Sequence, residues 1–358
     1  MAAFKLKPGI VTGTALDELF AYCKESECAL PAVNVIGSGS ANAALEAARQ
    51  AKAPVIIQYS HGGAQFTAGK QLDNKQHQAS IAGGIAGALH VRTLAETYGV
   101  AVVLHTDHAA KKLLPWIDGL LAASEKAFKE TGAPLYSSHM LDLSEEPLHE
   151  NLEISRSYLT RMAKLGMTLE IELGVTGGEE DGVDNSGVEN SKLYTQPSEV
   201  LEAYDALKSV GSFTVAASFG NTHGVYSPGN VKLTPVILKN SQDKIALDRK
   251  TPSKKPVNFV FHGGSGSSQS EIREAVSYGV IKMNIDTDTQ WAFTRPIKQY
   301  MDEKSAYLKS QLGNPEGPDA PNKKYLDPRA WLSLGEKGMT ARLVEAFKDL
   351  NSFGKFEL

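Results

Sequence analysis

Residues 100–108 read VAVVLHTDH, and the prediction of the fold starts from this stretch. A run of β-branched and apolar residues that ends in polar side chains is typical of a buried parallel strand opening onto a functional face. Two other runs have the same form: FTVAASFGNTH ends at His223, and NFVFH ends at His262. Together with His108, these imidazoles are expected to meet at one face of a sheet and hold one metal ion. Three protein ligands with an open position are the arrangement of a catalytic zinc site.

Eight apolar runs of strand length alternate with longer segments whose apolar residues recur every three or four positions. The predicted strands are Ala29–Val35, Pro54–Ser60, Val100–His108, Leu135–Asp142, Thr168–Gly174, Phe213–Gly220, Asn258–His262 and Val280–Thr287. Eight strands with covering helices over roughly 250 residues predict an α/β fold of the (β/α)8 TIM-barrel type. An open doubly wound sheet is the main alternative, but it would not bring eight strand ends into one ring.

Two stretches interrupt this alternation. Residues 174–190 (GVTGGEEDGVDNSGVEN) are rich in glycine and acidic residues, and we expect them to form a mobile, extended active-site loop. Residues 313–331 (GNPEGPDAPNKKYLDPRAW) are expected to form an arm that leads into a final helix near Thr340–Asn351. The sequence thus predicts one catalytic domain over residues 1–358, with the barrel at about 29–305 and the C-terminal arm and helix at about 306–358.

Composition narrows the possible partners. The 358 residues carry a formal net charge of −4, and 42% of them are hydrophobic, which is ordinary for a globular protein. Without a basic block, neither a nucleic acid nor a membrane surface is an expected partner, and no apolar run is long enough to span a bilayer. The first residues, MAAFKLKPGIVTG, lack the features of a signal or transit peptide, so a cytoplasmic location is expected.

Polar residues follow most of the predicted strands, at the end where a barrel carries its functional groups. They are Asn34, Ser60, Asp107, His108, Asp142, Glu172, His223, His262, Asn284 and Asp286. A single histidine at a strand end is more often a hydrogen-bonded structural residue than a ligand. Three of them, with the acids Asp142 and Glu172 at matching strand ends, favour a metal site. The other histidines lack this placement and are interpreted as surface, helical or supporting residues; they are His61, His77, His90, His105, His139 and His149.

The segment FVFHGGSGSS (residues 259–268) places small residues directly after a predicted strand. Backbone N–H groups can approach an anion closely there, and the start of the next helix favours negative charge. A tight turn is the alternative, but phosphate sites in such barrels lie after strands seven and eight. Since the eighth strand ends close by, in NIDTDTQ, a phosphate site is favoured, and Asp288 or Thr289 is expected to cap the following helix.

Glu179 and Glu180 lie between glycines in the predicted loop. They could form nothing more than a solvated acidic loop. The alternative is a hinged lid that delivers a carboxylate base to bound substrate. A metal acting as a Lewis acid, a phosphate grip and a delivered base together suit proton abstraction next to a carbonyl.

Several long motifs occur in a fixed order along the chain. They are HTDHAAKKLLPWIDG, SSHMLDLSEE, LEIELGVTGGEEDGVDN, NTHGVY, FHGGSGS, VIKMNIDTDTQWA and a late PNKKYLDPR segment. From about Pro8 to the C-terminal helix, the chain resembles the class II, zinc-dependent fructose-1,6-bisphosphate aldolases, and its long form is similar to their dimeric subgroup. The resemblance implies a lyase of glycolysis and gluconeogenesis. It would reversibly cleave fructose 1,6-bisphosphate into dihydroxyacetone phosphate and glyceraldehyde 3-phosphate.

The resemblance also implies a set of metal ligands. His108, His223 and His262 would hold the catalytic Zn²⁺, and Asp142 and Glu172 would form the position of a second divalent ion. Three imidazoles suit zinc, although cobalt or iron could occupy the same ligands.

Further roles follow from the same resemblance. Asp107 would act on the aldehyde oxygen, Glu180 would remove the proton from dihydroxyacetone phosphate, and Asn284 would lie close to the reacting carbons. Ser60 would lie at the glyceraldehyde 3-phosphate end. Arg329 would reach that phosphate across the interface of a homodimer.

Dihydroxyacetone phosphate would bind to a group of residues after the sixth, seventh and eighth strands. They are Gly224, Gly263, Gly264, Ser265, Asn284, Ile285, Asp286 and Thr287. Carbonyls around two of these glycines, Gly224 and Gly263, resemble a site for a monovalent cation, Na⁺ or K⁺.

Alternatives stay open at this level. A tagatose-1,6-bisphosphate aldolase would use the same metal and base, and a zinc-dependent hydrolase of barrel fold would use three histidines to activate water. A non-catalytic scaffold is the third possibility. Class I aldolases use a lysine Schiff base instead; Lys282 lies near the end of a predicted strand, and the sequence leaves the direction of its side chain open.

Overall fold

The computed structural model describes residues 3–174, 177–180, 183–184, 194–223 and 233–358, with the backbone alone at 177–180, 183–184 and 222–223. Its strands are β1 (Phe4–Lys5), β2 (Gly9–Ile10), β3 (Leu30–Asn34), β4 (Val55–Tyr59), β5 (Ala101–Thr106), β6 (Ser138–Leu141), β7 (Thr168–Leu173), β8 (Gly177–Glu180), β9 (Val183–Asp184), β10 (Phe213–Ala217), β11 (Thr222–His223), β12 (Phe259–Phe261), β13 (Val280–Ile285), β14 (Leu312–Asn314), β15 (Gly317–Pro321) and β16 (Phe356–Glu357). Its α-helices are α1 (Thr14–Glu25), α2 (Ser38–Ala51), α3 (His61–Ala68), α4 (Gln78–Tyr98), α5 (Leu114–Thr131), α6 (Leu148–Ala163), α7 (Pro197–Leu207), α8 (Val236–Arg249), α9 (Gln269–Ser277), α10 (Thr287–Glu303), α11 (Lys323–Leu326) and α12 (Pro328–Asp349).

A curled sheet of parallel strands forms the centre of the molecule, in the order β2-β5-β4-β3-β13-β12-β10-β7-β6. Its two ends meet, because the N–H of Ser137 donates to the carbonyl of Leu104 at 2.8 Å and the N–H of Asp142 to that of Ala109 at 3.0 Å. These bonds bring β6 to β5 and complete a ring of eight strands, while β2 pairs with the start of β5. The predicted α/β fold of the TIM-barrel type is confirmed.

Each of the eight predicted apolar runs contains one strand of this ring. The strands are buried on both faces, since one face lines the barrel interior and the other is covered by helices. A strand in such a position has to be apolar almost throughout, which explains the near-continuous runs of valine, isoleucine and leucine. The helices bury one stripe each: α5, for example, buries Trp116, Ile117, Leu120 and Leu121, which lie on one side of a 3.6-residue period.

Helix α4 approaches its neighbours at a distance that only glycine permits. A Cβ atom on Gly83 would lie 1.8 Å from the carbonyl oxygen of Ala64 in α3, and one on Gly87 would lie 2.4 Å from the ring of Tyr59. Both contacts are on the inner side of α4. The two glycines therefore set how closely α3 and α4 pack against the barrel.

The C-terminal part differs from the prediction. The expected arm contains a hairpin of β14 and β15 and the short helix α11, and the final helix begins at Pro328, well before the predicted start near residue 340. The side chain of Asn322 is fully buried and holds the hairpin: its amide donates to the carbonyls of Ser310 at 2.9 Å and Gly313 at 3.0 Å. The proline and glycine residues of this stretch are typical of irregular chain, but the hydrogen bonds of Asn322 hold it in a regular hairpin.

The backbone of the predicted active-site loop is partly described. Strand β8 pairs in parallel with β11 and antiparallel with β9. In this small sheet Gly178 lies opposite His223. Among the described residues, no helix is long and apolar enough to cross a membrane.

Candidate metal centre and active site

Asp107 and His108 directly follow β5, and the backbone leaves the strand direction at His108. His108 has a φ of 34°, in the left-handed region that L-residues rarely adopt. The N–H of Asp107 still bonds to the carbonyl of Tyr59 at 2.9 Å, as a continuation of the β4–β5 pairing. The N–H of His108 instead contacts the sulfur of Met140 at 3.3 Å. As a result, the two consecutive side chains reach different partners.

The imidazoles of His108 and His262 face each other. The Nε2 atom of His108 lies 2.8 Å from Nδ1 of His262. Each ring has a carboxylate on its other nitrogen: Asp142 lies 3.0 Å from Nδ1 of His108, and Glu170 lies 2.8 Å from Nε2 of His262. A carboxylate accepts hydrogen bonds, so the proton of each neutral ring belongs on the outer nitrogen and the two inner nitrogens present lone pairs to the same point.

This arrangement fits a transition-metal ion. Two lone pairs directed at the same point favour a cation or a proton there, and carboxylates behind the imidazoles are the usual support of metal-bound histidines. Burial lowers the pKa of His262, which favours the neutral ring that a metal ligand requires. In the described part of the chain, the two groups with ligand atoms within 4.8 Å of one another are Asp107–His108–His262 and His108–Asp142–Glu172.

Of the third predicted ligand, His223, the structure describes the backbone alone. Its strand β11 follows Asn221, whose amide donates to the carbonyl of His262 at 2.9 Å and whose oxygen accepts from the N–H of Phe219 at 2.8 Å. The chain that leads to His223 is thereby fastened beside His262. Glu180 ends β8, in the same small sheet as His223, and its side chain and the whole of Gly224 lie outside the described residues.

Asp142 and Glu172, predicted as a second metal position, both contact His108. The Oδ2 atom of Asp142 lies 3.0 Å and the Oε2 atom of Glu172 lies 3.6 Å from its Nδ1. Burial raises the pKa of Asp142, but hydrogen bonds from His108 and from the hydroxyl and N–H of Ser144 outweigh this and bring it to about 2. Asp142 is therefore ionised and stabilises the proton on the outer nitrogen of His108.

The carboxylate of Asp107 is buried and held from two sides. Asn284 in β13 donates to Oδ1 at 3.1 Å, and Asn34 in β3 donates to Oδ2 at 2.9 Å. Asn34 is oriented in turn by Gln58, which donates to its side-chain oxygen at 2.6 Å. This network places a fixed carboxylate and the amide of Asn284 next to the imidazole pair.

In the predicted phosphate loop, two positions require glycine for conformational or steric reasons. Gly263 has a φ of 62°, and a Cβ on Gly264 would lie 2.3 Å from the Cε atom of Met283. The loop continues through Ser265 to α9, whose start is capped by its own capping box of Ser268 and Glu271. The capping box satisfies the N–H groups of Ser268 and Glu271 at the start of α9.

The start of α10, unlike that of α9, has no side-chain cap hydrogen bond. Its N-cap residue is Asp286, which directly follows Ile285 at the end of β13, and the helix begins at Thr287. The prediction that Asp288 or Thr289 caps this helix is wrong. Asp288 pairs with Arg342 at 2.9 Å, and the hydroxyl of Thr289 donates to the carbonyl of Asp286 at 2.8 Å.

Two of the predicted site residues, Ser60 and Arg329, lie outside the cluster around the imidazole pair. Ser60 is the N-cap of α3, and its oxygen accepts from the N–H of Gly63 at 3.1 Å, which leaves its own proton for another acceptor. Arg329 lies in the first turn of α12; its side chain is 90% exposed and pairs with Asp327 at 2.6 Å. The structure therefore does not bring Arg329 to the metal centre of its own chain.

Glu170 is a residue of this site that was not predicted, and the structure settles the direction of the Lys282 side chain. The amine of Lys282 points into the barrel and lies 2.9 and 2.8 Å from the two oxygens of Glu170. Burial raises the pKa of Glu170, but Lys282, His105 and His262 lower it by more, so its pKa lies well below the usual range. An amine bound to a buried carboxylate is not free for a Schiff base. Alternation in TLEIEL could have indicated Glu170, because it shares a strand face with Glu172.

A TIM-type barrel with an imidazole pair, supporting carboxylates and a glycine loop at the carboxyl ends of its strands defines a metal-dependent barrel enzyme. The chain matches the family described as fructose-bisphosphate aldolase class-II over residues 14–355. It is 63% identical to fructose-bisphosphate aldolase from Haemophilus influenzae over 97% of each chain, and 59% identical to fructose-bisphosphate aldolase class 2 from Escherichia coli K12 over 97% of each chain. A crystal structure of fructose-bisphosphate aldolase from Campylobacter jejuni has a TM-score of 0.88 at 56% identity and covers 98% of each chain. The chain belongs to the class II fructose-bisphosphate aldolase family, whose members are lyases.

Proposed function

We propose that this chain reversibly cleaves fructose 1,6-bisphosphate into dihydroxyacetone phosphate and glyceraldehyde 3-phosphate at the carboxyl end of its barrel. The observation that carries the proposal is the pair His108–His262, with inner nitrogens 2.8 Å apart and carboxylates on the outer ones, beside the fixed carboxylate of Asp107. The family assignment supports the same reaction.

His108 and His262, together with His223, would hold the zinc ion. When bound, zinc supplies Lewis-acid polarisation of the substrate carbonyl, the electron sink that cleavage of a ketose requires. Asp142 and Glu172 fix the proton of His108 on its outer nitrogen, and we assign them the position of a second divalent ion as well. A monovalent cation, Na⁺ or K⁺, is proposed at the carbonyls near Gly224 and Gly263.

The chain's own residues would move the protons. Asp107, held by Asn34 and Asn284, is positioned to exchange a proton with the aldehyde oxygen as the C3–C4 bond breaks or forms. Glu180 is proposed as the base that removes the proton from dihydroxyacetone phosphate. The pairing of β8 with β11 supports this role, because it brings the backbone of Glu180 near that of His223.

The two phosphates would bind at opposite sides of the metal. We assign the phosphate of dihydroxyacetone phosphate to Gly224, Gly263, Gly264, Ser265, Ile285, Asp286 and Thr287, with Asn284 next to the reacting carbons. The backbone N–H groups at the start of α10 support this site. Ser60 would donate to the other phosphate, and Arg329 would reach it from a second subunit. Its side chain at the start of α12 is 90% exposed and therefore accessible to the second subunit of the proposed homodimer.

Residues 1–358 are proposed to act as one catalytic domain. The cytoplasm is the proposed location, because bisphosphorylated sugars are highly charged and do not cross a bilayer unaided.

A coupled assay of cleavage, with fructose 1,6-bisphosphate and tagatose 1,6-bisphosphate in parallel, tests the proposal before and after treatment with EDTA. We expect cleavage of the fructose ester, loss of activity on chelation and recovery with Zn²⁺. Cleavage that resists EDTA would contradict the metal assignment. Preference for the tagatose ester would change the substrate, and release of inorganic phosphate without cleavage would indicate a hydrolase.

A further inference from the structure

We propose that the buried ion pair of Lys282 and Glu170 positions His262 for metal binding, so that Lys282 and Glu170 are positioning residues of the metal centre. The inference rests on the proposed role of His262 as a metal ligand. It concerns two residues that lie on opposite sides of the barrel interior, Glu170 in β7 and Lys282 in β13, with β10 and β12 between these strands in the sheet.

The geometry joins the two residues tightly. The amine of Lys282 lies 2.9 Å from Oε1 and 2.8 Å from Oε2 of Glu170, so the carboxylate is held by both oxygens. The side chains are 3% and 2% exposed. Both oxygens have a second neighbour as well: Oε1 lies 2.8 Å from Nε2 of His262, and Oε2 lies 3.4 Å from Nε2 of His105. The rotation of the Glu170 carboxylate is therefore fixed by its hydrogen bonds to Lys282 and His262.

This fixed carboxylate determines the orientation of His262. Because a carboxylate only accepts hydrogen bonds, it selects the form of the ring with its proton on Nε2. The lone pair then lies on Nδ1, the nitrogen that faces Nε2 of His108 at 2.8 Å. Lys282 supplies the opposite charge that a carboxylate buried this deeply requires. Without the ammonium, neither the charge nor the rotation of Glu170 would be maintained.

The surroundings leave little room for water to take the place of this pair. The space beside it is lined by His105, Ser138, Glu170, Thr214 and Lys282 among other residues, and its volume of about 10 Å³ holds one water molecule at most. Outer partners of metal-bound histidines usually change metal affinity by about 10- to 100-fold when they are replaced. We expect an effect of this size here.

The test compares Zn²⁺ affinity and folding stability in the full-length protein. The variants are Lys282→Met, Glu170→Gln and the double variant with both changes, and Zn²⁺ dissociation constants are measured by competition with a chromogenic chelator. Thermal unfolding of the metal-free proteins is measured alongside. An amide at position 170 can accept or donate, so Glu170→Gln no longer selects one form of the His262 ring. Arg161→Met, which breaks an ion pair with Asp118 on the outside of the barrel, is the matched control.

We expect each single variant to bind Zn²⁺ about 10- to 100-fold more weakly than the wild type and to unfold at a lower temperature. The double variant leaves no unpaired charge, so its unfolding temperature should recover while its Zn²⁺ affinity stays low. Arg161→Met should bind Zn²⁺ as the wild type does. Wild-type Zn²⁺ affinity in the folded double variant would overturn the inference and leave the proposed function intact. If the wild type itself bound no Zn²⁺, both would be overturned.

Discussion

At the scale of single residues, Asp107 shows how neighbours fix a reacting group. Asn34 and Asn284 each direct an N–H at one carboxylate oxygen. In Asp107→Asn, one of these donors would meet another donor, and the group could no longer exchange the proton. We expect the rate constant for cleavage to fall about 10²- to 10⁴-fold, measured by steady-state kinetics. Asp118→Asn, at an exposed carboxylate, is the control. An unchanged rate constant in Asp107→Asn would remove Asp107 from the mechanism.

His139 gives a prediction about stability and pH. It is fully buried, its Nδ1 lies 2.8 Å from the hydroxyl of Thr106, and burial lowers its pKa to about 3. An unfolded histidine has a pKa near 6.5, so between about pH 6.5 and pH 3 the unfolded chain binds a proton that the folded chain does not. The stability from this group is complete above that range and is lost as the pH falls, by about 1.4 kcal/mol per pH unit.

His139→Asn keeps a polar partner for Thr106 but cannot titrate. We expect its free energy of unfolding to fall less steeply than that of the wild type below about pH 6.5, as measured by denaturant titration at several pH values. His149→Asn, at an exposed histidine, should keep the wild-type slope. Equal slopes in wild type and His139→Asn would show that His139 is protonated in the folded state.

Individual residues of the candidate site were predictable where a polar residue lies at or close to the end of an apolar run. His108, His262, Asp107 and Asn284 were identified in this way, and the structure brings them together. Glu170 and Lys282 were not, because they lie further from the strand ends, and only the arrangement of the whole sheet brings their side chains together inside the barrel. Register depends on the whole sheet and cannot be read from one strand.

At the scale of elements, the contact of α3 with α4 depends on Gly83. A Cβ there would lie 1.8 Å from a backbone oxygen of α3, which cannot move as a flexible side chain could. We expect Gly83→Ala to lower the free energy of unfolding by about 1–3 kcal/mol. Because α3 starts directly after Ser60, the Michaelis constant for fructose 1,6-bisphosphate should rise as well. Denaturant titration and steady-state kinetics measure the two effects.

Gly62 is the matched control for this prediction. It lies in α3, and a Cβ there would meet no atom within 4 Å. Gly62→Ala should therefore be neutral or stabilising by up to about 1 kcal/mol, because alanine is the better helix former. If the two variants were equally stable, close packing of α3 against α4 would not be the reason for a glycine at position 83.

The same consideration explains which elements the sequence could predict. The barrel strands were predictable because burial on both faces requires apolar runs. The early start of α12 was not, because Gly335 and Gly338 resemble helix breakers in a sequence. In the structure they lie inside α12, where a Cβ on Gly338 would be 2.2 Å from the carbonyl oxygen of Ala292 in α10. Glycine is required at these two positions because α12 packs closely against α10, a helix that is distant in sequence.

At the scale of the whole molecule, the position of Arg329 bears on whether each active site is formed by one chain or shared between two subunits. Its side chain is 90% exposed and paired with Asp327, away from the metal centre of its own chain. If it binds substrate phosphate in the partner's site, Arg329→Ala should lower kcat/KM about 10- to 100-fold, the effect of losing a charged hydrogen bond. The single variant cannot show which subunit's site is affected.

A mixed dimer can show it. Chains with Asp107→Asn and chains with Arg329→Ala are co-expressed with different affinity tags, and the dimer that carries both tags is purified. If Arg329 acts on the partner, one site combines both defects and the other has an intact Asp107 and an intact arginine, so kcat/KM per dimer should be about half that of the wild type. If Arg329 acts within its own chain, each site has one defect, and the kcat/KM of the mixed dimer should be close to that of the Arg329→Ala dimer, far below half that of the wild type. A chain that purified as a monomer would exclude the shared site altogether.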